Sequence, residues 1–357
     1  MNTYTKFLVR TYLSSFLNVF FIFFCLIYIL NLLTELEFFK QTNVKAFFPL
    51  YLSLINTPIL VFEMFPFIFL ISTQFFFNTL FTDNEMNIFK YSGLKNTKIF
   101  SILAITTFFV GVLIISVFYN LSSNLKNFYL EMKSPYTTDG KYLAVITKNG
   151  LWIKDEINDK VLIINSSKIE ENFLINSFIT EFNKDFSVIR NLRSKKIDIS
   201  KNEWVAYNVR VYDKNNYENQ NKLIIKTNFD YKKIKTLYSN LSSLNIFQLY
   251  ELRKNYIKLN YSITDVNLQL LKLIVYPIFL LLITIFASII MFNSKHIKGT
   301  TFKISIGLFF SVIIYYLNNF FYVLASSERI PIIISILTPL VILTLINTIM
   351  FNKIDEK

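Results

Sequence analysis

Residues Ile99 to Tyr119 read Ile-Phe-Ser-Ile-Leu-Ala-Ile-Thr-Thr-Phe-Phe-Val-Gly-Val-Leu-Ile-Ile-Ser-Val-Phe-Tyr, without one charged side chain. A helix needs about 20 predominantly apolar residues to cross the hydrocarbon of a bilayer, and this run has that length. Beyond it the chain turns polar and rich in Lys and Asn, and long apolar runs return only after Leu268. Of the 357 residues 53% are hydrophobic, and they gather at the two ends. A water-soluble domain cannot hide such contiguous apolar surface. The sequence therefore predicts an α-helical membrane protein that carries a second, polar domain in its middle.

Six crossings are expected. The first covers about Leu13 to Leu33 and the third Ile99 to Tyr119; the last three run from about Leu268 to Phe292, Phe302 to Leu324 and Pro331 to Phe351. The second apolar run, Phe47 to Phe81, is too long for a single crossing at about 1.5 Å per residue, and Pro58 and Pro66 interrupt it. Because the residue before a proline is disfavoured in the α region, Phe47 to Pro58 is expected to be an interfacial or half-inserted helix and Val61 to Phe81 the crossing. Lys6 and Arg10 resemble the basic start of a signal peptide, but the first apolar run is too long for one and lacks a small-residue cleavage site, so it is read as an anchor.

Orientation follows from Lys and Arg in short loops. Lys6, Arg10, Lys90, Lys95, Lys98, Lys295, Lys298, Lys303, Lys353 and Lys357 fall on one side, against Lys40, Lys45 and Arg329 on the other. Both termini are thus expected in the cytoplasm. The middle segment is basic too, with 23 Lys/Arg against 15 Asp/Glu over residues 123–262, but long translocated domains escape the short-loop rule. The expected plan is residues 1–123 for the first three crossings with a short cytoplasmic helix near 83–92, residues 124–262 for an extracytoplasmic domain, and residues 263–357 for the last three crossings.

The middle domain alternates with period two. Val205, Tyr207, Val209 and Val211 are expected on one face, with Trp204, Asn208 and Arg210 on the other; similar runs occur at Tyr142–Thr147, Leu151–Lys154, Val161–Asn165, Phe186–Arg190 and Leu223–Thr227. Turn-like clusters such as Lys148-Asn149-Gly150 and Lys214-Asn215-Asn216 separate them. Short strands at this spacing predict an all-β sandwich of jelly-roll type. Asn245 to Asn260 reads as helical and leads back to the membrane.

The residue counts exclude several chemistries. One cysteine, Cys25, and one histidine, His296, rule out a disulfide framework, a structural zinc site and haem attachment. The six glycines form neither of the common phosphate-cradling turns. No cofactor is implied, nothing points to nucleic acid, and any ATP that drives this protein must be hydrolysed by another chain.

Several residues remain as working parts. In the cytoplasmic loop Thr82-Asp83-Asn84-Glu85-Met86-Asn87-Ile88-Phe89-Lys90-Tyr91-Ser92-Gly93, Thr82 and Glu85 fit a capping box and Gly93 suits a helix end. Met86 and Phe89 share one face, and Glu85 either pairs a partner's cation or merely caps a helix lying on lipid. Glu63 and Lys272 are the charged residues expected within spans, near their outer ends, where they either serve function or snorkel. Asn18, Asn31, Asn318, Asn319 and Asn347 add amides, which ordinarily bond neighbouring helices; no acid-base chain accompanies them, which argues against an ion-coupled secondary transporter. Lys40 and Lys45 either meet an anionic substrate outside the first span or are simply solvated, and anionic lipid headgroups account for His296 between its lysines.

Three crossings, a large extracytoplasmic β domain and three more crossings is an uncommon plan. With Pro58 and Pro66 eight apart, Glu85 in Glu-Met-Asn-Ile-Phe-Lys-Tyr-Ser-Gly, Asn149-Gly150-Leu151-Trp152-Ile153-Lys154-Asp155, Tyr316-Leu317-Asn318-Asn319, Ile330-Pro331 and Pro339, the whole chain resembles the lipopolysaccharide-export permease family LptF/LptG, also called YjgP/YjgQ. The Gly-Leu-Trp and Tyr-Leu-Asn-Asn segments lean toward the LptG branch. The resemblance implies a non-catalytic subunit in the bacterial inner membrane, with a periplasmic β domain. It implies pairing with a homologous LptF-like permease, so that first and fifth spans gate a V-shaped cavity. Two copies of an LptB-like ATPase would grip the short helix through Glu85, Asp83, Met86, Phe89 and Lys90, and lipopolysaccharide would pass to an LptC/LptA-like bridge. On the same footing Lys40, Lys45 and Lys272 are headgroup candidates, and Asn31, Asn318 and Asn319 are gate or cavity candidates. One departure stands out: family members often carry cations in the outer half of the first span, where this chain reads Tyr28 to Glu37 with none before Lys40. Two other functions compete, a passive membrane anchor that displays a binding domain and, less favoured, an ion-coupled lipid transporter.

Overall fold

The computed structural model describes residues 3–355 except 41, 43, 46, 137–150, 158–159, 171, 184, 214–215, 232–233, 235–239, 259–260 and 294–298. The expected strand Tyr142–Thr147, the turn Lys148-Asn149-Gly150, most of the turn at Lys214-Asn215, and Lys295, His296, Lys298 and Lys357 lie outside the described residues. Six helices are long and apolar enough to cross a membrane: Thr3–Phe39, Phe47–Thr82, Asn96–Tyr136, Thr264–Asn293, Thr301–Ser326 and Ile332–Asn352. The chain divides into two compact units, residues 1–126 with 264–357, and residues 127–263. The first holds the spans; the second holds a sheet inserted between the third and fourth.

The second apolar run is one helix of 36 residues, Phe47–Thr82, with Pro58 and Pro66 inside it. The expected break into a half-inserted helix and a crossing does not occur. A proline removes a single donor and frees the carbonyl four residues earlier, and a helix survives in lipid if something else bonds that carbonyl. Pro66 frees the carbonyl of Phe62, and the Tyr276 hydroxyl of the fourth span donates to it at 2.8 Å. Near Pro58 the hydroxyls of Thr57 and Ser53 donate back to the carbonyls of Ser53 and Pro49, both at 2.7 Å. At about 1.5 Å per residue such a helix is roughly 54 Å long, well beyond the roughly 30 Å of hydrocarbon.

Apolar sequence makes all six helices membrane-compatible, but their burial by protein differs. Within the most apolar window the fourth and second spans are 67% and 61% buried, against 17% for the first and 11% for the fifth. Second and fourth spans form the middle of the bundle: the first, fourth and fifth pack on the second, and the third and sixth pack on the fourth. Third and fourth spans approach closely at Gly111, where an added Cβ would stand 3.0 Å from the Pro277 Cα. A π-helical stretch, Ile114–Tyr119, follows directly. Tyr12, Thr107 and Thr284 form a buried hydroxyl cluster, at 2.9 Å from Tyr12 to Thr107 and 3.2 Å from Thr107 to Thr284, which ties the first, third and fourth spans.

In the second unit the described strands are β1 Leu151–Ile157, β2 Lys160–Glu170, β3 Phe173–Phe182, β4 Val188–Asp198, β5 Glu203–Asp213 and β6 Asn216–Lys226. They form one antiparallel sheet in sequential order. Among the described residues the sheet is a single meander rather than two packed layers. The chain after β6 returns over the buried face: Phe229 and Ile234 are buried, the Trp204 indole donates to the Phe229 carbonyl at 2.8 Å, and Asn228 donates from backbone and side chain to the buried Asp155 carboxylate at 2.9 and 2.8 Å.

The face expected for Trp204 is reversed. Trp204 and Ala206 are buried together with Val209 and Val211, because Asn208 between them adopts a left-handed conformation, φ 49°. Such a residue advances the chain without the usual alternation, so the buried parity shifts by one. Asn176 in β3 does the same at φ 50°, placing Leu174 and Ser177 both inside. Buried serines flank these steps and bond ladder carbonyls: Ser166 to Ile175 at 2.8 Å and Ser194 to Tyr207 at 2.7 Å.

The proline argument yields a double-mutant test. Tyr276→Phe leaves the Phe62 carbonyl without its donor and is expected to lower the melting temperature in detergent, at about 1 kcal/mol. Pro66→Ala restores an N–H in place, so adding Tyr276→Phe to it should cost much less. Equal costs in both backgrounds would show that the hydroxyl does not replace the missing donor.

Candidate functional site: a short helix and the opposite span ends

Where the second span ends, the chain forms the helix Glu85–Tyr91. The expected capping box is absent. The second helix runs through Thr82, and the Thr82 hydroxyl bonds back to the carbonyls of Asn78 and Thr79, both at 3.0 Å, a common fate for hydroxyls inside helices. Asn84 takes the N-cap position in a left-handed conformation, φ 58°, with no side-chain cap. The far end is a Schellman turn: Gly93 has φ 77°, its N–H donates to Lys90 O at 3.0 Å, and Leu94 N–H donates to Phe89 O at 2.9 Å. Nothing stands within 4 Å of a Cβ placed on Gly93, so conformation rather than space calls for glycine there. Lys90 in the last turn and Glu85 in the first both suit the helix dipole.

Met86 and Phe89, expected to face a partner, face inward instead. Met86 is buried, and the Phe89 ring lies 6.0 Å from that of Phe7 on the first span. Their spacing puts them on one face, and the adjacent spans cover the more apolar face first. The opposite face presents Ile88, 61% exposed, and Tyr91, 91% exposed; Asp83, Asn87 and Lys90 are exposed as well. The sequence signal for this pair was their three-residue spacing on the face away from Met86. Glu85 sits between the two faces. Its Oε2 is buried with no hydrogen-bond partner among the described residues. Burial, and then the neighbouring Asp83 carboxylate, push the Glu85 carboxyl above its ordinary value. A half-covered acid that lacks a donor favours a cation brought by something else.

At the span ends opposite the short helix the expected residues fare differently. Asn31 is closed off: its amide donates to Ser53 O at 3.0 Å and accepts from Asn56 at 3.2 Å, stapling the first span to the second. One turn on, Glu35 is also buried, a residue that the search for charge within spans passed over. Lys40 and Lys45 are exposed in the connection between these spans. Lys272 is exposed, with its ammonium 5.6 Å from the Tyr322 ring of the fifth span. The Glu63 carboxylate, exposed on the second span, acts electrostatically on both Lys272 and Lys126. Lys126 had no place in the sequence reading, because it lies past the apolar run where loop lysines are common. On the fifth span Asn318 is half-buried and Asn319 exposed. The Asn347 side-chain N–H donates to Leu282 O within the bundle at 3.0 Å.

The described residues contain no group of three or more His, Cys, Asp or Glu able to hold a metal ion. The family model described as lipopolysaccharide export system permease LptF/LptG matches residues 6–353. The chain belongs to the LptF/LptG family. It is accordingly a lipopolysaccharide-export permease, a multi-pass protein of the inner membrane whose six spans bracket an antiparallel sheet. A comparison with curated proteins gives no match.

The Glu85 environment carries a pH signature. A carboxyl raised in the folded state contributes stability in full below its unfolded value and loses it as pH rises through the folded value. Glu85→Gln is therefore expected to raise the melting temperature of the chain alone at neutral pH. The gain should vanish below 4.5, the ordinary value, where the wild-type carboxyl is already protonated. Identical melting curves at neutral pH would contradict a half-buried ionised carboxylate.

Proposed function

We propose that this LptF/LptG chain is one of two homologous permease subunits of an ATP-driven exporter that draws lipopolysaccharide from the inner membrane and hands it to a periplasmic bridge. Both termini lie in the cytoplasm and residues of about 124–262 in the periplasm, as the loop charges demand. The observation that carries the reading is the donorless Glu85 oxygen on a short helix outside the membrane. That helix continues from the second span, the one on which both the first and the fifth pack. A push on it reaches both proposed gate spans through one rigid element.

In this reading Glu85 pairs a cation of the ATPase, with Asp83 adding negative potential and Lys90 at the far end. Ile88 and Tyr91 supply the apolar contact, while Met86 and Phe89 fasten the helix to its own chain. The low burial of the first and fifth spans supports their facing a cavity shared with an LptF-like or LptG-like partner; the Gly-Leu-Trp and Tyr-Leu-Asn-Asn segments favour LptG for this chain. Lys40, Lys45 and Lys272 are the proposed headgroup contacts, with Lys126 joining Lys272 beside Glu63. Asn318 and Asn319 line the gate, and Asn31 holds the first span to the second beside it.

Charge reversal tests the docking role. Glu85→Lys should lower copurification with the ATPase by roughly thirtyfold or more, corresponding to the loss of about 2–5 kcal/mol from a broken partner-buried charge pair. Tyr91→Asp should do likewise and leave the melting temperature of the chain unchanged, whereas Met86→Asp should lower it. Full copurification and transport by Glu85→Lys would end the proposal.

A further inference from the structure

The helix Ile246–Lys258 in the second unit has a buried side and an uncovered one. Leu249 and Leu252 are buried, while Phe247 is 80%, Tyr250 52% and Ile257 48% exposed. At 3.6 residues per turn these three fall within an arc of roughly 80°. Exposed Lys254 lies in the same arc, its ammonium 4.8 Å from the Tyr250 ring.

We propose that this face rests on the phospholipid surface of the membrane that the chain itself spans. Only residues 259–263 separate the helix from the start of the fourth span at Thr264. Five residues reach at most about 18 Å. Beside this connection Tyr261 N–H donates to Tyr256 O at 2.9 Å, and the two rings lie 5.6 Å apart. The composition suits the site: aromatic rings belong at the membrane–water boundary, and a lysine beside them meets anionic headgroups. A protein partner fits less well. Burying three such side chains covers on the order of a few hundred Å², short of the roughly 800 Å² that each side of a specific interface needs. A lipid surface asks for an apolar face and a cation, not a complementary shape.

The full chain can be tested alone in nanodiscs of phosphatidylethanolamine with phosphatidylglycerol. Cys25 is the sole cysteine, so a Cys25→Ala background accepts single nitroxide labels at exposed positions 247, 250, 251, 257 and 217. Labels at 247, 250 and 257 should collide readily with oxygen and lose collisions with a water-soluble nickel chelate. Labels at Glu251, at the edge of the arc, and at Tyr217, 70% exposed on β6, should stay open to the chelate. Chelate access at 247, 250 and 257 equal to that at 217 overturns the proposal. So does protection that arises only when a second protein is added, which would assign the face to that protein. None of these readouts depends on transport or on ATPase docking.

Discussion

In hydrocarbon a backbone carbonyl without a donor costs several kcal/mol, and the second span carries two prolines through it. The helix nevertheless runs unbroken from Phe47 to Thr82, and at Pro66 the freed Phe62 carbonyl is reached from outside the backbone ladder by the Tyr276 hydroxyl. The bond joins the two most buried spans, so the element that repairs the helix also fixes the centre of the bundle. Stacking of Phe62 on Tyr276, with ring centroids 5.0 Å apart, reinforces the same contact.

A continuous second span has a mechanical consequence. It extends past the hydrocarbon, carries the Glu85–Tyr91 helix at one end, and has the first and fifth spans packed on its sides. The first span is held to it by the Asn31–Asn56–Ser53 amide cluster. Toward the end that carries the short helix the second span meets the fifth at Gln74, whose amide donates to Lys303 O at 3.0 Å, and Gly307 leaves the room that this side chain occupies. Force applied to the short helix therefore acts on a rod with defined attachments rather than on a hinge at Pro58.

The sheet solves a different problem. Two left-handed asparagines, Asn176 in β3 and Asn208 in β5, change which residues face inward partway along their strands. Each step leaves ladder groups to satisfy, and Ser166 and Ser194 bond them from within. Burying hydroxyls in an otherwise aliphatic face is tolerable because each has a partner.

Contiguity of apolar residues was enough to determine six crossings, and period-two alternation to determine an inserted β domain, since both patterns follow from how a helix or a strand must meet lipid or a core. The Gly93 helix end was legible for the same local reason, a backbone conformation that glycine adopts freely. Glu85 was legible as a residue, but its unmet oxygen was not. Tertiary structure alone decided the direction in which things face. Trp204 turned inward because Asn208 shifted the parity of β5, Phe89 met Phe7 of the first span while Met86 was buried beside it, and Asn31 closed on Ser53 and Asn56. At Pro66 a tyrosine more than 200 residues away reached the carbonyl that the proline had freed. Apart from the shift at Asn208, which is local to β5, these depend on partners distant in the chain, and the pattern of a single segment carries no record of what such a partner will supply.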